Sequence, residues 1–121
     1  MGSMVNLQTV LVSRLKTVHS RVVLEDSQQK IEFPYITYSL SSRDNNNREL
    51  FRFEVNVWDN SNDTTTIENL SDSIKALFDH YSYNDSNIAF HSYLEDRSML
   101  PDTNPQIRRR HLIFDLKVYI K

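Results

Sequence analysis

Four histidines stand in the chain, His19, His80, His91 and His111, and no two of them are spaced i, i+4. Two histidines four apart share a helix face and offer a metal two ligands, so that arrangement is missing. Asp and Glu number 16, yet no pair falls on an apolar face where burial would part their pKa values for acid–base work. Glu54, Asp59 and Asp115 read as solvated strand charges. Serine and histidine occur without a nucleophile elbow, which itself calls for glycine. The only glycine is Gly2, inside Met1-Gly2-Ser3-Met4. Residues 1–3 read as an expression-tag remnant ahead of a native start at Met4. Backbone that must approach a phosphate closely needs glycine, so Walker loops and dinucleotide fingerprints are excluded. With no cysteine, disulfides, Cys-ligated zinc, iron–sulfur clusters and thiol catalysis are excluded too. The expectation is a protein that is not an enzyme and holds no cofactor or metal.

Three features remain for contact chemistry. Arg108, Arg109 and Arg110 form the sharpest local charge. Strand alternation sends Arg108 and Arg110 to one side and Arg109 to the other. The run fits a solvated strand start, carboxylates of a neighbouring subunit, or phosphate. Trp58 falls opposite an apolar strand face, where a partner contact suits it. Arg43, Asp44, Asn45, Asn46, Asn47 and Arg48 make a loop tip without glycine, since Asn and Asp best tolerate left-handed backbone. That tip reads as a turn or as a grip on a neighbour.

The bulk numbers set the frame. At 121 residues one domain is expected, spanning 4–121. A net charge of −2 argues against a general nucleic-acid binder. No apolar run approaches the roughly 18 residues needed to span a bilayer. No stretch has a signal-peptide layout, so the expected setting is cytoplasmic, with no membrane partner.

The elements that must position these residues follow from periodicity. Leu7, Val10, Leu11, Leu15 and Val18 predict an amphipathic helix over Val5–His19. A short extended piece follows at Arg21–Leu24, and Glu25-Asp26-Ser27-Gln28 reads as a turn. Ile31–Ser41 predicts a strand, with Pro34 marking an edge, a start or a bulge. Phe51, Phe53, Val55 and Val57 alternate with polar positions and predict a half-buried strand over Glu49–Asp59. Ile67, Leu70, Ile74, Leu77 and Phe78 predict a second helix over Thr65–Tyr81, with Thr64 or Thr65 and Glu68 resembling a capping box. Ser82–Ser86 reads as a loop, Ile88–Leu94 as a strand and Glu95–Gln106 as a loop or hairpin excursion. Arg108–Lys121 predicts a long central strand. The expected fold class is α+β: an antiparallel β-sheet of four to five strands with two amphipathic helices packed on one face. Trp58, Tyr38 and Tyr119 are expected on the other.

Phe33-Pro34-Tyr35-Ile36-Thr37, Phe51-Arg52-Phe53-Glu54-Val55-Asn56-Val57-Trp58-Asp59 and Ile67 to Leu77, with the closing strand from Arg109 to Ile120, together resemble the tail-terminator, or tail-completion, proteins of long-tailed bacteriophages and prophages. The likeness runs from the first helix to the last strand. It implies an antiparallel sheet flanked by helices and a structural role at the head-proximal end of the virion tail, after assembly in the host cytoplasm. The implied partners are further copies of itself in a homo-hexameric ring, the tail tube protein and the head-completion or connector protein. DNA would pass through the lumen without specific binding, and the free protein could be monomeric. Many relatives place glycine in the long hairpin where this chain has Asn45–Asn47. The alternatives are another head–tail connector or minor tail protein of similar fold, or a small nucleic-acid-binding module.

Overall fold

The computed structural model describes residues 3–24, 32–45 and 48–121. The chain runs α1 (Ser3–Leu15), β1 (Val22–Leu24), β2 (Tyr35–Asn45), β3 (Arg48–Asp59), α2 (Thr65–Phe78), β4 (Tyr81–Asn84), β5 (Ile88–Leu100) and β6 (Arg108–Ile120). The strands form one mixed sheet in the order β1-β2-β3-β6-β5-β4. β1 pairs with β2 in parallel, and every other pairing is antiparallel. The fold is α+β as expected, but among the described residues the sheet has six strands and one parallel pair rather than four to five antiparallel strands.

The sixth strand is β4, where a loop was expected. Tyr81 and Tyr83 alternate onto the helix-covered face and lie 5.8 and 5.3 Å from the Phe90 ring. Four residues are too short for that alternation to show in sequence. The β4–β5 turn is closed by Asp85, whose Oδ1 accepts the backbone N–H of Ile88 and of Asn87, at 2.8 and 2.7 Å, while Oδ2 accepts the Tyr83 hydroxyl. Those bonds, the Ile88 N–H foremost, hold the Asp85 carboxyl below the usual carboxylate range.

β5 runs on to Leu100, well past the expected strand. The register against β6 slips between Leu94 and Asp96, so one bulged residue, Glu95, breaks the period-two signal. The β2–β3 pairing extends to Asn45 opposite Arg48, so strand takes up residues expected in the loop tip at Arg43–Arg48. The turn expected at Glu25–Gln28 lies outside the described residues.

Both helices cover one face. Leu7, Leu11 and Leu15 of α1 and Ile67, Ile74 and Phe78 of α2 are buried against Phe53, Val55, Leu112, Phe114 and Leu116 of the sheet. Phe53, Phe78 and Phe114 meet at the centre, with Phe78 5.4 Å from each of the other two rings. Each such side chain contributes about 1.5–3 kcal/mol by burial, and each ring pair about 0.5–1.5 more. The triad ties α2 to β3 and β6.

Both helices end earlier than expected, at Leu15 and Phe78. The expected capping box is not made: the N-cap Thr64 forms no side-chain cap bond. Asp63 does the work instead, its Oδ1 accepting the Thr65 hydroxyl at 2.6 Å and the Thr65 N–H at 2.9 Å. Glu68 is drawn away to Arg110. At the other end of α2, His80 takes φ 57°, a left-handed turn at the place where helices favour glycine.

Two surface expectations change. Tyr38 sits on the helix face, 7% exposed, its hydroxyl accepting Gln8 Nε2 at 2.8 Å, because it shares parity with Ile36. Asp59 is 5% exposed rather than solvated, since it shares parity with Val57. Glu54 and Asp115 are half-buried and face His111 at 3.4 Å and Arg52 at 3.8 Å.

Candidate interface site

The face without helices gathers Trp58 and Arg109. Trp58 lies directly opposite Arg109 on β6 and Tyr35 on β2, so one row of the sheet carries all three. The Arg109 guanidinium carbon is 4.7 Å from the Trp58 ring centroid. Tyr35 stacks on the other side, centroids 6.0 Å apart and planes 13° from parallel, and Phe33 adds a ring 5.3 Å beyond. Hydrogen bonds fix the group: Trp58 Nε1 donates to Thr37 Oγ1 at 3.0 Å, and Arg109 Nε donates to Asn56 Oδ1 at 2.8 Å. Asn56 is 1% exposed, so the bond that orients Arg109 is shielded from water. Burial, followed by the nearby Asp102 carboxylate, pushes the Tyr35 hydroxyl above its ordinary pKa.

Arg108 and Arg110 fall on the opposite side, as alternation predicts. Arg110 is 8% exposed and bonds through Nε to Glu68. Its Nη1 donates to the Arg109 carbonyl at 3.2 Å. Arg97 of β5 adds a 2.7 Å bond to Asp72 and lies 4.0 Å from Glu68. These four side chains clamp the first half of α2 to β5 and β6, so the job of Arg110 is internal. Arg108 is different: among the described residues its buried Nε has no hydrogen-bond partner. It lines an open cleft of about 600 Å³ with Arg109, Arg110, Thr64, Met99, Pro101 and Asp102.

The hairpin tip is elsewhere. Arg48 and Asp59 bound the 12-residue β3, and Asp59 pairs with Arg108. At about 3.3 Å per residue the two ends lie roughly 36 Å apart. The sequence candidates therefore separate into two ends of one sheet. Asn46 and Asn47 lie outside the described residues, as do the side chains of Arg43, Asp44, Asn45 and Arg48. Sequence reading missed Asn56, Thr37, Tyr35 and Glu68 as anchors. Asn56 shares parity with Trp58, but only the β3–β6 register brings Arg109 to it. No group of three or more His, Asp or Glu among the described residues is placed to hold a metal, and no helix among them is long and apolar enough to cross a membrane.

Fold and site together define a helix-backed mixed sheet whose bare face carries anchored aromatic and guanidinium groups at one end. No protein-family model and no curated protein matches the sequence. Among solved structures, the chain is similar to a chain of a structure described as the virion of a native gene transfer agent particle. The TM-score is 0.65 at 12% identity, covering 90% of this chain and 84% of that one. At that identity the likeness shows a shared fold.

Proposed function

We propose that the protein is a structural virion component of a long-tailed phage or phage-derived particle, acting as a tail terminator. In this reading copies assemble as a hexameric ring on the head-proximal end of the tail tube, stop its polymerisation and present a surface to the head connector. The observation that carries it is the fold shared over 90% of the chain with a component of a phage-like virion. The anchored Tyr35–Trp58–Arg109 row supports it as a rigid, partly exposed contact surface. Aromatic and arginine side chains are the ones that dominate protein interfaces. Arg109 and Arg110 are engaged by Asn56, Trp58 and Glu68, which speaks against the nucleic-acid module. Electron microscopy of tail tubes assembled with and without the protein tests the reading. Tubes of uniform length with a ring at one end are expected when it is present, and unregulated tubes when it is absent. Unchanged lengths together with no bound ring would refute it.

A further inference from the structure

The two long edges of the sheet are capped unevenly. On one side the three-residue β1 covers β2 at Ile36–Tyr38. On the other, β4 covers β5 only from Ala89 to Ser92. Asp79 Oδ1 takes up the Leu94 N–H at 3.0 Å. Beyond that point, among the described residues, nothing pairs with the outer edge of β5 as far as Leu100.

The uncovered stretch lies level with β1. Following the pairings across the sheet, Val22 aligns with Ile36, Val57, Arg110 and Met99, and Leu24 aligns with Tyr38, Val55, Leu112 and Arg97. Backbone direction agrees as well. The Ile36 N–H donates to the Arg21 carbonyl, so Ile36 faces β1. Alternation across the antiparallel pairs then turns Val57 toward β6, Arg110 toward β3, and the N–H and C=O of Met99 and Arg97 away from the sheet. The outward Leu94 N–H agrees, one bulged residue earlier. On β1 the same bond turns the Arg21 carbonyl inward and leaves Leu24 facing outward. Both edges expose an apolar side chain on the helix side, Leu24 at 47% and Met99 at 70%.

We propose that copies of this chain join head to tail through these edges, β1 of one copy adding antiparallel to Arg97–Met99 of the next, with Val22 opposite Met99 and Leu24 opposite Arg97. The occupant is a second copy because it brings an edge that matches in level and direction, with the Val22 carbonyl and the Leu24 N–H turned outward; the Val22 N–H bonds the Ser20 carbonyl at 3.2 Å and exchanges that partner for Met99 on pairing. Pairing level with level lets each subunit join the next without a shift along the strands, which a closed ring requires of a heterologous contact. Leu24 and Met99 become diagonal neighbours on one face. The ladder stays short, since β1 has only three residues. The inference gives the ring of the proposed function its subunit contact and rests on that reading only for closure of the ring.

The absence of cysteine makes the test clean. In this register Val23 faces Ser98 in a non-hydrogen-bonded pair, close enough for a disulfide. Within one molecule these residues are four strand spacings apart, roughly 19 Å, so no internal bridge can form. Mild oxidation of the full chain carrying Val23→Cys and Ser98→Cys, at high protein concentration, should shift the monomer band on a non-reducing gel into a ladder of multiples. Val23→Cys with Ser82→Cys, which places the second thiol on the covering strand β4, away from the proposed edge, should give no ladder. Met99→Pro removes an outward N–H that the monomer does not use. It should abolish the ladder when added to the first pair and leave the circular dichroism spectrum unchanged. No ladder, or an equal ladder from the β4 pair, overturns the edge pairing. Rings seen by microscopy without a ladder also overturn it while sparing the proposed ring. A ladder without closed rings keeps the contact and removes the ring.

Discussion

Arg108, Arg109 and Arg110 are chemically identical neighbours with three different situations. Arg109 is spread over the Trp58 ring and held by Asn56. Arg110 is nearly buried against Glu68. Arg108 lines the cleft with no hydrogen-bond partner for its Nε among the described residues. Truncating one member of a mostly buried charged pair leaves the other without its partner, at about 1.5–3 kcal/mol for a charged hydrogen bond. Glu68 is partly exposed, 44% by side chain, and water recovers part of that cost. Arg110→Ala is therefore expected to destabilise the fold by about 1–2 kcal/mol, read as a lower urea midpoint with unchanged slope. Arg108→Ala should stay within about 0.5 kcal/mol, because its buried Nε gives up no hydrogen bond when the side chain is truncated. Equal losses from the two variants would contradict the division of labour drawn for this triplet.

At the scale of elements, the missing glycine has a local cost. α2 ends where His80 adopts φ 57° with its side chain 79% exposed, 3.7 Å from Asp79 and with its ring 6.2 Å from that of His91. A non-glycine residue pays about 1–2 kcal/mol for left-handed backbone, offset in part because glycine loses more chain entropy on folding. His80→Gly should raise stability by about 0.5–1 kcal/mol, visible as a Tm increase of a few degrees. A fall in Tm would show that His80 makes a contact worth more than its strain. The same elements show what patterning can reveal. β3 and β6 were legible because long strands with one buried face alternate over many residues, as Phe51 to Val57 and Leu112 to Val118 do. The far half of β5 was not, because the bulge at Glu95 reverses parity in mid-strand. β4 was hidden by its four-residue length. The site was half legible: parity separated Arg109 from its neighbours, but Asn56, Thr37 and Glu68 become anchors only through pairings distant in sequence. The α2 cap was misread because Glu68 had a stronger partner in Arg110 than its own helix terminus.

For the molecule as a whole, the question is whether its positive charge is free to act on nucleic acid. The chain carries 14 Lys and Arg against 16 Asp and Glu. Several of its cations are committed inside the fold: Arg110 to Glu68, Arg97 to Asp72, and Arg52 beside Asp115. Phosphate binding draws its free energy from releasing condensed counterions, about 0.9 per phosphate neutralised, and needs several unpaired cations on one surface. Here the cleft is lined by Arg108 together with the acidic Asp102, and Arg109 is turned onto Trp58. Such a surface is poorly supplied with the unpaired cations that phosphate binding needs. Double-stranded DNA titrated at about 150 mM salt is expected to give no saturable binding below roughly 10⁻⁴ M, the weak end of non-specific affinity. Fluorescence anisotropy between about 50 and 200 mM salt is the measurement. Micromolar binding with a log–log salt slope near −3, abolished by Arg108→Ala with Arg109→Ala, would instead make the arginine run a phosphate site and favour a nucleic-acid-binding module over a ring that only surrounds the DNA.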